Sequence, residues 1–428
     1  MSRAPANPRD PLGWCIAIAL GFWALTLIRL TIPTKPYFDE IHYLPAARQY
    51  LALNTFINRE HPLVGKEIIA LGITVFGDKP LGWRIMSTIG GAMALFGAMR
   101  ALWFATLSRF ATIAYGILLA TGFILFVNSR IAMLDIFMIT FSALAYWQLA
   151  GAMREPETGR RRLALAGLFL GLAIGSKWNA VPIAALAGIG FLAIRATAGR
   201  RRLLLSRRGP PVPGITLVEA GIWIGVLPLA VYTLTYLPAW FFAHGAIGTP
   251  SGSSNFLTFH LDAVKLQESV VRKHPYMSRW WQWVLNIRSI WYLYEQVDGA
   301  FRGIVLVGNP LTMLLGLPAL VWAMWAGFVR RNAAAAGVAL IYLLSIGMWV
   351  VADKPIQFFY HYMLPSMALF AALALALDAL RQRGHWFMAW APLVLSVVLF
   401  VYFYPILSAA PLHDRLTFNQ WMWLNVWR

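Results

Sequence analysis

The sequence LGWCIAIALGFWALTLIRLTI, residues 12–32, is followed shortly afterwards by YFDEIHY, residues 37–43. The first stretch is long and apolar enough to cross a bilayer as an α-helix, which needs about 20 such residues. The second places two adjacent carboxylates, Asp39 and Glu40, in the loop that leaves this helix. A spanning helix followed by an acidic pair predicts a membrane protein with a polar site at the bilayer edge.

Similar apolar runs recur along the whole chain. Of its 428 residues, 59% are hydrophobic and 12% are charged, and the charged share is roughly half the ~25% typical of soluble proteins. About eleven runs are interpreted as membrane spans: 12–32, 81–104, 111–127, 131–153, 163–175, 181–194, 215–237, 304–329, 335–351, 359–380 and 387–407. The sequence therefore predicts an all-α polytopic membrane protein with about eleven transmembrane helices.

The net charge of +19 reflects membrane topology and gives no sign of a nucleic-acid partner. The basic residues that set this orientation are Arg3, Arg9, Arg100, Arg109, Arg154, Arg160, Arg161, Arg162, Arg200, Arg201, Arg202, Arg207, Arg208, Arg330, Arg331, Arg381 and Arg383. They fall in the N-terminus and in loops on one side of the predicted spans, and the positive-inside rule makes that side cytoplasmic. The loops at about 33–80 and 238–300 then face outward.

The chain is expected to form a single unit, residues 1–428. The first apolar run is long for a cleaved signal peptide and is interpreted as a retained helix. Segments 41–53 and 63–76 combine helical apolar spacing with charges, which is typical of helices lying at the membrane interface. Interfacial helices and coil are likewise expected in the long outward loop. The single cysteine, Cys15, excludes disulfides within the chain.

Ionisable residues gather at the outer edge of the predicted spans. The segment EHPLVGK, residues 60–66, follows the acidic pair, and the other charged positions are Arg84, Arg130, Asp135 and Lys177. Such residues are costly at membrane depth and often mark a functional path. Several cations around an apolar cavity suit a lipid phosphate. Structural ion pairs at helix ends explain any single one of them equally well, and the sequence leaves both interpretations open.

The aromatic residues of the long outward loop are also ambiguous. Trp and Tyr are enriched in interfacial belts, yet His274, Tyr276 and Trp280 could equally form a platform for a sugar or an acceptor. Histidines and carboxylates are present, but they show no close-spaced ligand set for a metal. No cofactor is assigned, and a divalent cation is left open. No glycine-rich phosphate loop or inverted repeat is evident.

Taken together, these segments resemble the protein O-mannosyltransferases, membrane enzymes of the GT-C glycosyltransferase class. The match rests on eight segments in register: Asp39-Glu40, His61–Lys66 (HPLVGK), Ser129–Asp135 (SRIAMLD), Gly175–Trp178 (GSKW), His274–Ser278 (HPYMS) with Trp280 and Trp283, Gly308–Pro310 (GNP), Phe358–Pro365 (FFYHYMLP) and the tail Trp421–Trp427. The resemblance covers nearly the whole chain. It departs from the family at Leu63, where a second proline is usual, and the long loop has no room for the MIR domain of eukaryotic members.

The resemblance implies a donor, an acceptor and residue roles. The donor is a polyprenyl- or dolichyl-phosphate-mannose, and the acceptor is a Ser or Thr hydroxyl of a secreted or membrane protein. Asp39 is implied as the general base of an inverting transfer, with Glu40 beside it holding the acceptor or orienting a cation. The residues expected to contact the donor are His61, Lys66, Arg84, Arg130, Asp135, Lys177, His361 and Tyr362, and those expected near the acceptor are His274, Tyr276 and Trp280.

Three other functions remain alternatives on the sequence alone. One is a related GT-C enzyme with a lipid or glycan acceptor, such as an aminoarabinose transferase acting on lipid A. The second is a carrier of lipid-linked sugars, although a carrier places its charges near the membrane midplane. The third is a non-catalytic subunit that retains the fold and would tolerate the loss of Asp39. The short loops suggest a bacterial inner-membrane protein with its site facing the periplasm or exterior. Family members often pair, so a dimer is also left open.

Overall fold

The computed structural model describes residues 9–198, 203–269, 274–352 and 354–428. Arg3, Arg200, Arg201 and Arg202, which contributed to the predicted orientation, lie outside these residues. The helices are α1 Leu12–Leu27, α2 Glu40–Ala52, α3 Val64–Phe76, α4 Pro80–Thr106, α5 Arg109–Thr121, α6 Ile124–Asn128, α7 Leu134–Arg154, α8 Gly159–Ser176, α9 Val181–Thr197, α10 Leu217–Gly221, α11 Leu227–Leu234, α12 Phe256–Glu268, α13 Trp280–Val284, α14 Pro310–Met324, α15 Ala333–Val351, α16 Met363–Gln382 and α17 Trp386–Leu407.

By length and composition, eight helices in the described ranges are apolar enough to cross a membrane. They are Pro80–Thr106, Leu134–Arg154, Trp178–Thr197, Leu217–Leu234, Pro310–Val329, Ala333–Val351, Phe359–Gln382 and Trp386–Leu407. The helical membrane fold is therefore confirmed, whereas the count of about eleven is not. Helices α1 and α5 are shorter than the predicted spans, and α8 carries three arginines, Arg160–Arg162, in its first turn.

The first outward loop folds as the periodicity predicts. Helix α2, Glu40–Ala52, corresponds to the predicted segment 41–53, and α3, Val64–Phe76, corresponds to 63–76. Helix α2 ends at Leu53, whose φ of 46° is left-handed and turns the chain out of the helix. These two helices pack against each other, and α3 also packs on α4, so the loop forms a fixed cap beside the spans.

The long outward loop departs from the prediction at its end. Residues Ile290–Val297 and Ala300–Leu306 form an antiparallel two-stranded hairpin, β1 and β2. The expectation of only interfacial helices and coil, followed by a helix from residue 304, is therefore wrong. Asp298 and Gly299 both have positive φ, 49° and 75°, as a two-residue type I′ turn requires, and Asp-Gly is a preferred pair there.

Small residues bring the start of α3 against the start of α7 and the end of α8. Helix α4 packs along α7, and α7 packs along α8. Helix α3 approaches closely, because a Cβ on Gly65 would lie 2.7 Å from Leu134 Cδ2 at the start of α7. A Cβ on Gly175, near the end of α8, would lie 2.8 Å from Val64 Cγ2. These small residues allow the loop between α1 and α4 to pack directly against the first turn of α7 and the last turn of α8.

Candidate active site

Asp39 stands immediately before α2 and opens the site. The preceding residue, Phe38, has a left-handed φ of 49° and stacks on Tyr292 of the hairpin at a centroid distance of 4.2 Å. Its ring also meets Tyr360 edge-on at 6.1 Å. The Asp39 side chain is half-buried and makes no capping hydrogen bond. Among the described residues, none donates a hydrogen bond to its carboxylate, so it can accept a proton from a ligand.

Burial raises the pKa of the Asp39 carboxyl to about 6, because desolvation disfavours the charged form. The nearby cations Lys177, His42 and Lys354 act in the opposite direction, and the carboxylate of Asp135 adds to the rise. A general base works best when its pKa lies near the operating pH. The environment of Asp39 therefore provides a carboxylate that is ionised at neutral pH and still basic enough to take a proton.

A buried ion pair lies next to Asp39. Lys177 Nζ donates to Asp135 Oδ2 at 2.6 Å, and both side chains are almost entirely buried. The same ammonium stands 4.9 Å from the ring centroid of Tyr360. Asp135 comes from the first turn of α7 and Lys177 follows the end of α8, so the packing of these helices fixes the pair. Only one N–H of Lys177 is used by Asp135, which leaves donors for a ligand.

Two further basic groups, Lys354 and His61, lie near Asp39 and the Lys177–Asp135 pair. Lys354 is half-buried, and its ammonium makes neither a hydrogen bond nor an ion pair with the described residues. Burial, together with the charge of Lys177, lowers its pKa to about 8. The ring of His61 meets Tyr43 edge-on, and burial and neighbouring cations hold the pKa of His61 well below its usual value. We call Asp39, His61, Asp135, Lys177 and Lys354 the open cluster.

Glu40, the neighbour of Asp39, is placed very differently. Its carboxylate is fully buried and takes two hydrogen bonds from Arg84, at 2.8 and 2.9 Å. The backbone N–H of Ala132 donates to it as well. Arg84 is also fully buried, and its remaining N–H groups donate to the main-chain oxygens of Leu30, Pro33 and Lys35. Glu40 thus orients a cation, one of the two roles expected for it, whereas Arg84 has no N–H directed at a ligand in this arrangement.

Lys66 also points into the protein instead of toward a ligand. Its ammonium donates to the carbonyl oxygens of Asn58 at 2.6 Å and His61 at 2.8 Å, and it lies over the ring of Tyr50. The side chain is fully buried. Because these carbonyls belong to the loop that carries His61, Lys66 closes this loop and does not face the open cluster as the sequence suggested.

Arg130 satisfies the end of the first helix. Its guanidinium donates to the carbonyl oxygens of Thr26 at 2.7 Å and Ile28 at 2.6 Å. The last carbonyls of a helix lack intrahelical partners, and α1 ends at Leu27. Arg130 is buried, so it differs from the expected phosphate contact in the same way as Lys66 and Arg84. We call Glu40, Lys66, Arg84 and Arg130 the sealed residues.

His361 and Tyr362 are adjacent in sequence but differ in the partners that they find. His361 is buried, and its Nδ1 accepts a hydrogen bond from the N–H of Phe358 at 3.0 Å. The proton of the neutral ring therefore resides on Nε2, which has no partner among the described residues. The hydroxyl of Tyr362 instead bonds to that of Tyr342 at 2.8 Å, between α15 and α16. Within the described residues, His361 therefore has an N–H without an acceptor, whereas the hydroxyl of Tyr362 is engaged by Tyr342.

The three loop residues expected near the acceptor lie beside His361. His274 is exposed and meets the ring of Phe358 edge-on at 5.2 Å, while Tyr276 and Trp280 are half-buried. Trp283 is fully buried, donates to Ser278 at 2.8 Å and packs near the ring of His361. The structure thus brings this loop to the segment that begins α16, at the rim of the site.

Helix α12 connects two edges of the open cluster, a role that sequence patterns did not predict. Trp178, next to Lys177, donates to the hydroxyl of Tyr232 at 2.9 Å, and that hydroxyl meets His260 Nε2 of α12 at 2.6 Å. At its other end, Gln267 donates to the carbonyl oxygen of Glu60 at 2.6 Å. These contacts hold the Lys177 turn and the His61 loop at a fixed separation. In the described part of the chain, no group of three or more His, Cys, Asp or Glu residues forms a metal cluster.

A profile of the dolichyl-phosphate-mannose-protein mannosyltransferase family matches residues 16–243. The chain belongs to this family. A polyprenol-phosphate-mannose–protein mannosyltransferase of Mycobacterium tuberculosis is 29% identical, and the match covers 99% of this chain and 94% of that protein. The resemblance drawn from the motifs is confirmed, and so is the expected enzyme class, a membrane glycosyltransferase of the mannosyltransferase kind.

Solved structures show the fold. The protein O-mannosyltransferase Pmt1-Pmt2 complex of Saccharomyces cerevisiae, bound to the sugar donor, superposes with a TM-score of 0.81 at 12% identity, over all of this chain and 93% of that chain. ArnT from Cupriavidus metallidurans gives 0.57 at 14% identity, over 91% of this chain and 63% of its own. The GT-C architecture predicted from the sequence is confirmed.

Proposed function

We propose that this protein transfers mannose from a polyprenyl-phosphate donor to Ser or Thr hydroxyls of proteins on the outer side of the membrane, with inversion at the anomeric carbon. Family membership supports the sugar and the lipid-phosphate donor. The observation that carries the mechanism is the half-buried carboxylate of Asp39, which accepts no hydrogen bond from the described residues and lies near Lys177 and Lys354. A one-step displacement of phosphate requires a base on one side of the sugar and cations on the other. Asp39 would be the base, and the two lysines would be the cations.

In this mechanism Asp39 takes the proton of the acceptor hydroxyl as its oxygen attacks the anomeric carbon. The bond from that carbon to the phosphate oxygen breaks, and the leaving lipid phosphate gains one negative charge. Asp39 loses one negative charge in the same step, so the total charge of the site is unchanged. General-base assistance of this kind contributes about 10²–10⁴-fold to a rate.

The leaving phosphate is held by donors that the protein leaves unused. Lys354 has no partner among the described residues, and Lys177 gives only one N–H to Asp135. The free Nε2–H of His361 is a third donor. A buried donor without an acceptor costs about 1–3 kcal/mol, and a bound phosphate or sugar oxygen would remove that cost. Asp135 then serves to aim Lys177.

The sealed residues support this site without touching the substrate. The Glu40–Arg84 pair ties the start of α2 to α4 and to the main chain between α1 and α2. Lys66 closes the loop that presents His61, and Arg130 fixes the outer end of α1. These are positioning roles: the four side chains hold the backbone on which Asp39 and His61 stand.

The site is proposed to face the periplasm or exterior of a bacterial inner membrane. The arginines that follow α7, α14 and α16 lie at the helix ends opposite to Asp135, Asn309 and His361, in agreement with the positive-inside rule. Chain 1–428 acts as one catalytic unit in this proposal, with no MIR domain. A secreted or membrane protein reaches the site from outside, where His274, Tyr276 and Trp280 form its rim, and pairing into a dimer is a further part of the proposal.

The experiment uses the purified full-length protein in detergent with radiolabelled polyprenyl-phosphate-mannose. One reaction receives a Ser/Thr-rich peptide, and a second receives a total lipid extract. We expect the wild-type protein to transfer label to the peptide. Asp39→Asn should lose this transfer, and Asp78→Asn should retain it. Asp78 is a matched control, because its carboxylate lies exposed on the same outward loop and pairs with Arg48. Label on lipid alone would contradict the protein acceptor and favour the lipid-modifying alternative.

A further inference from the structure

A cavity lies between α14, α16 and α17, and none of the open-cluster residues lines it. It encloses about 530 Å³. Its walls include Leu315 and Trp322 of α14, Leu373 and Leu380 of α16, and Leu395 of α17. All three helices are long and apolar enough to cross a membrane, so the cavity opens toward hydrocarbon. A cavity with such walls accepts an alkyl chain.

The shape of this groove follows from small residues and prolines on its walls. Ala319, Ala376 and Ala391 line it, one from each helix, where larger side chains would close the gap. Pro318 lies inside α14 and Pro392 inside α17, and each removes a backbone hydrogen bond of its helix. The groove is therefore built into the sequence of three separate helices.

One end of the groove is positively charged. Arg383, in the short connection between α16 and α17, is one of the lining residues. It is exposed, and its guanidinium has no hydrogen bond or ion pair within the described chain. The nearest acid, Asp378, already accepts from Ser108, Arg381 and Gln382. This end of the groove therefore carries an uncompensated positive charge at the boundary of the membrane.

From this combination we infer that the groove binds an anionic phospholipid. One acyl chain lies between α14, α16 and α17, and the phosphate of the headgroup sits against Arg383. The lipid belongs to the leaflet on the Arg383 side, which is opposite to the proposed active site. Charge complementarity selects this occupant over a zwitterionic lipid, because a basic residue near the surface attracts anionic lipid by about 1 kcal/mol. The inference is independent of the proposed enzymatic activity.

The test measures lipid retention by native mass spectrometry on the purified full-length protein. The protein is delipidated and then mixed with phosphatidylglycerol or with phosphatidylcholine of the same chains. We expect the wild type to retain phosphatidylglycerol about fivefold better than phosphatidylcholine. Arg383→Gln should remove this preference, and Arg383→Lys should restore most of it. The control Arg161→Gln removes an exposed arginine elsewhere on the same face and should leave the preference intact.

A second variant tests the groove itself. Ala391→Phe fills the cavity and should reduce retention of both lipids, whereas Ala24→Phe on the exposed face of α1 should not. Thermal unfolding without added lipid identifies a variant that is simply misfolded, and Ala376→Phe then provides an independent filling change. Equal retention of both lipids by the wild type would overturn the inference. The inference would also be overturned if Arg161→Gln lost the preference for phosphatidylglycerol as fully as Arg383→Gln does. The same holds if a cavity-filling variant disrupted a dimer while lipid retention stayed unchanged.

Discussion

Asp39 and Glu40 are adjacent carboxylates with opposite surroundings. Asp39 is half-buried, its carboxylate has no partner among the described residues, and burial raises its pKa to about 6. Glu40 is fully buried, and its carboxylate accepts hydrogen bonds from Nε and Nη2 of Arg84. Consecutive side chains of an α-helix point in directions about 100° apart. This difference is enough for one of two neighbouring groups to face a ligand while the other packs in the core. The acidic pair therefore combines one proposed base with one structural anchor.

The same contrast extends to the basic residues. Lys354 and Lys177 keep N–H groups for a ligand, whereas the donors of Arg84 are used by the protein. Charge alone therefore does not identify a substrate contact. What matters is whether the hydrogen-bonding capacity of the group is already satisfied, and each of the following predictions tests this difference.

The largest expected effect is on the rate of transfer in Asp39→Asn. Loss of the general base should slow turnover by about 10²–10⁴-fold. A carboxyl whose pKa is raised in the folded state loses its stabilising contribution as the pH rises through that pKa. At pH 7.5 the variant should therefore unfold at the same temperature as the wild type or slightly higher. Steady-state transfer to peptide and thermal unfolding check both parts. A variant that unfolds earlier in proportion to its lost activity would place Asp39 with the sealed residues.

The next effect is on stability in Glu40→Gln. Removal of one partner of a buried ion pair costs about 3–5 kcal/mol, here because Arg84 keeps its charge in the core. The midpoint of thermal unfolding should fall clearly, while the rate per folded molecule stays within a few-fold of the wild type. Arg48→Gln breaks an exposed pair with Asp78 and should cost at most about 1 kcal/mol. If Glu40→Gln kept the stability of the wild type but lost turnover, Glu40 would be a catalytic residue.

The pH dependence of transfer is the third prediction. Asp39 must be ionised to act as base, so kcat/KM should rise about tenfold per pH unit up to a pKa near 6. Lys354 must be protonated to hold phosphate, so the rate should fall again above a pH of about 8. A profile measured between pH 4.5 and 9.5 checks both limbs. If kcat/KM did not change with pH below about 6, Asp39 would not be the base.

The smallest effect is expected for Lys354→Gln. Loss of one hydrogen bond to the donor should raise KM for the lipid donor about fivefold, since a typical net hydrogen bond contributes about 1 kcal/mol. Lys354 also lowers the pKa of Asp39, so the acidic limb of the pH profile should move upward. If KM changed while the acidic limb of the pH profile stayed in place, Lys354 would bind the donor without influencing the pKa of Asp39. An unchanged KM would remove it from the donor site.

Parts of this fold were predictable because their signals are local. Hydrophobic runs indicated the spanning helices, and the 3.6-residue periodicity with charges predicted α2 and α3 almost to the residue. The hairpin was missed although its signal was present. Residues 290–297 are rich in aromatic and β-branched side chains, and Asp298-Gly299 is a favoured pair for a two-residue turn. For the aromatic residues of this loop, the sequence left two interpretations open, an interfacial belt or a ligand platform, and neither of them predicts a pair of strands.

The site was predictable only in part. Motif order pointed to Asp39, Lys177 and His361, and the described residues leave part of the hydrogen-bonding capacity of these groups unused. Their role as ligand contacts stays a prediction. The same motifs contain Lys66 and Arg130, whose partners are main-chain carbonyl oxygens of Asn58 and Thr26. Every residue carries such a carbonyl, so the sequence gives no sign of this pairing. Lys354 belongs to none of the matched motifs, and only the structure shows that its ammonium has no partner among the described residues.

The most direct test of the central claim is donor binding measured together with a single turnover in Asp39→Asn. Labelled polyprenyl-phosphate-mannose is bound to the variant and to the wild type until both are equally occupied, and peptide is then added. The account predicts unchanged donor affinity and a transfer rate reduced by about 10²–10⁴-fold, while Glu40→Gln, compared at equal folded fraction, transfers at nearly the normal rate. Near-normal transfer by Asp39→Asn would contradict the account.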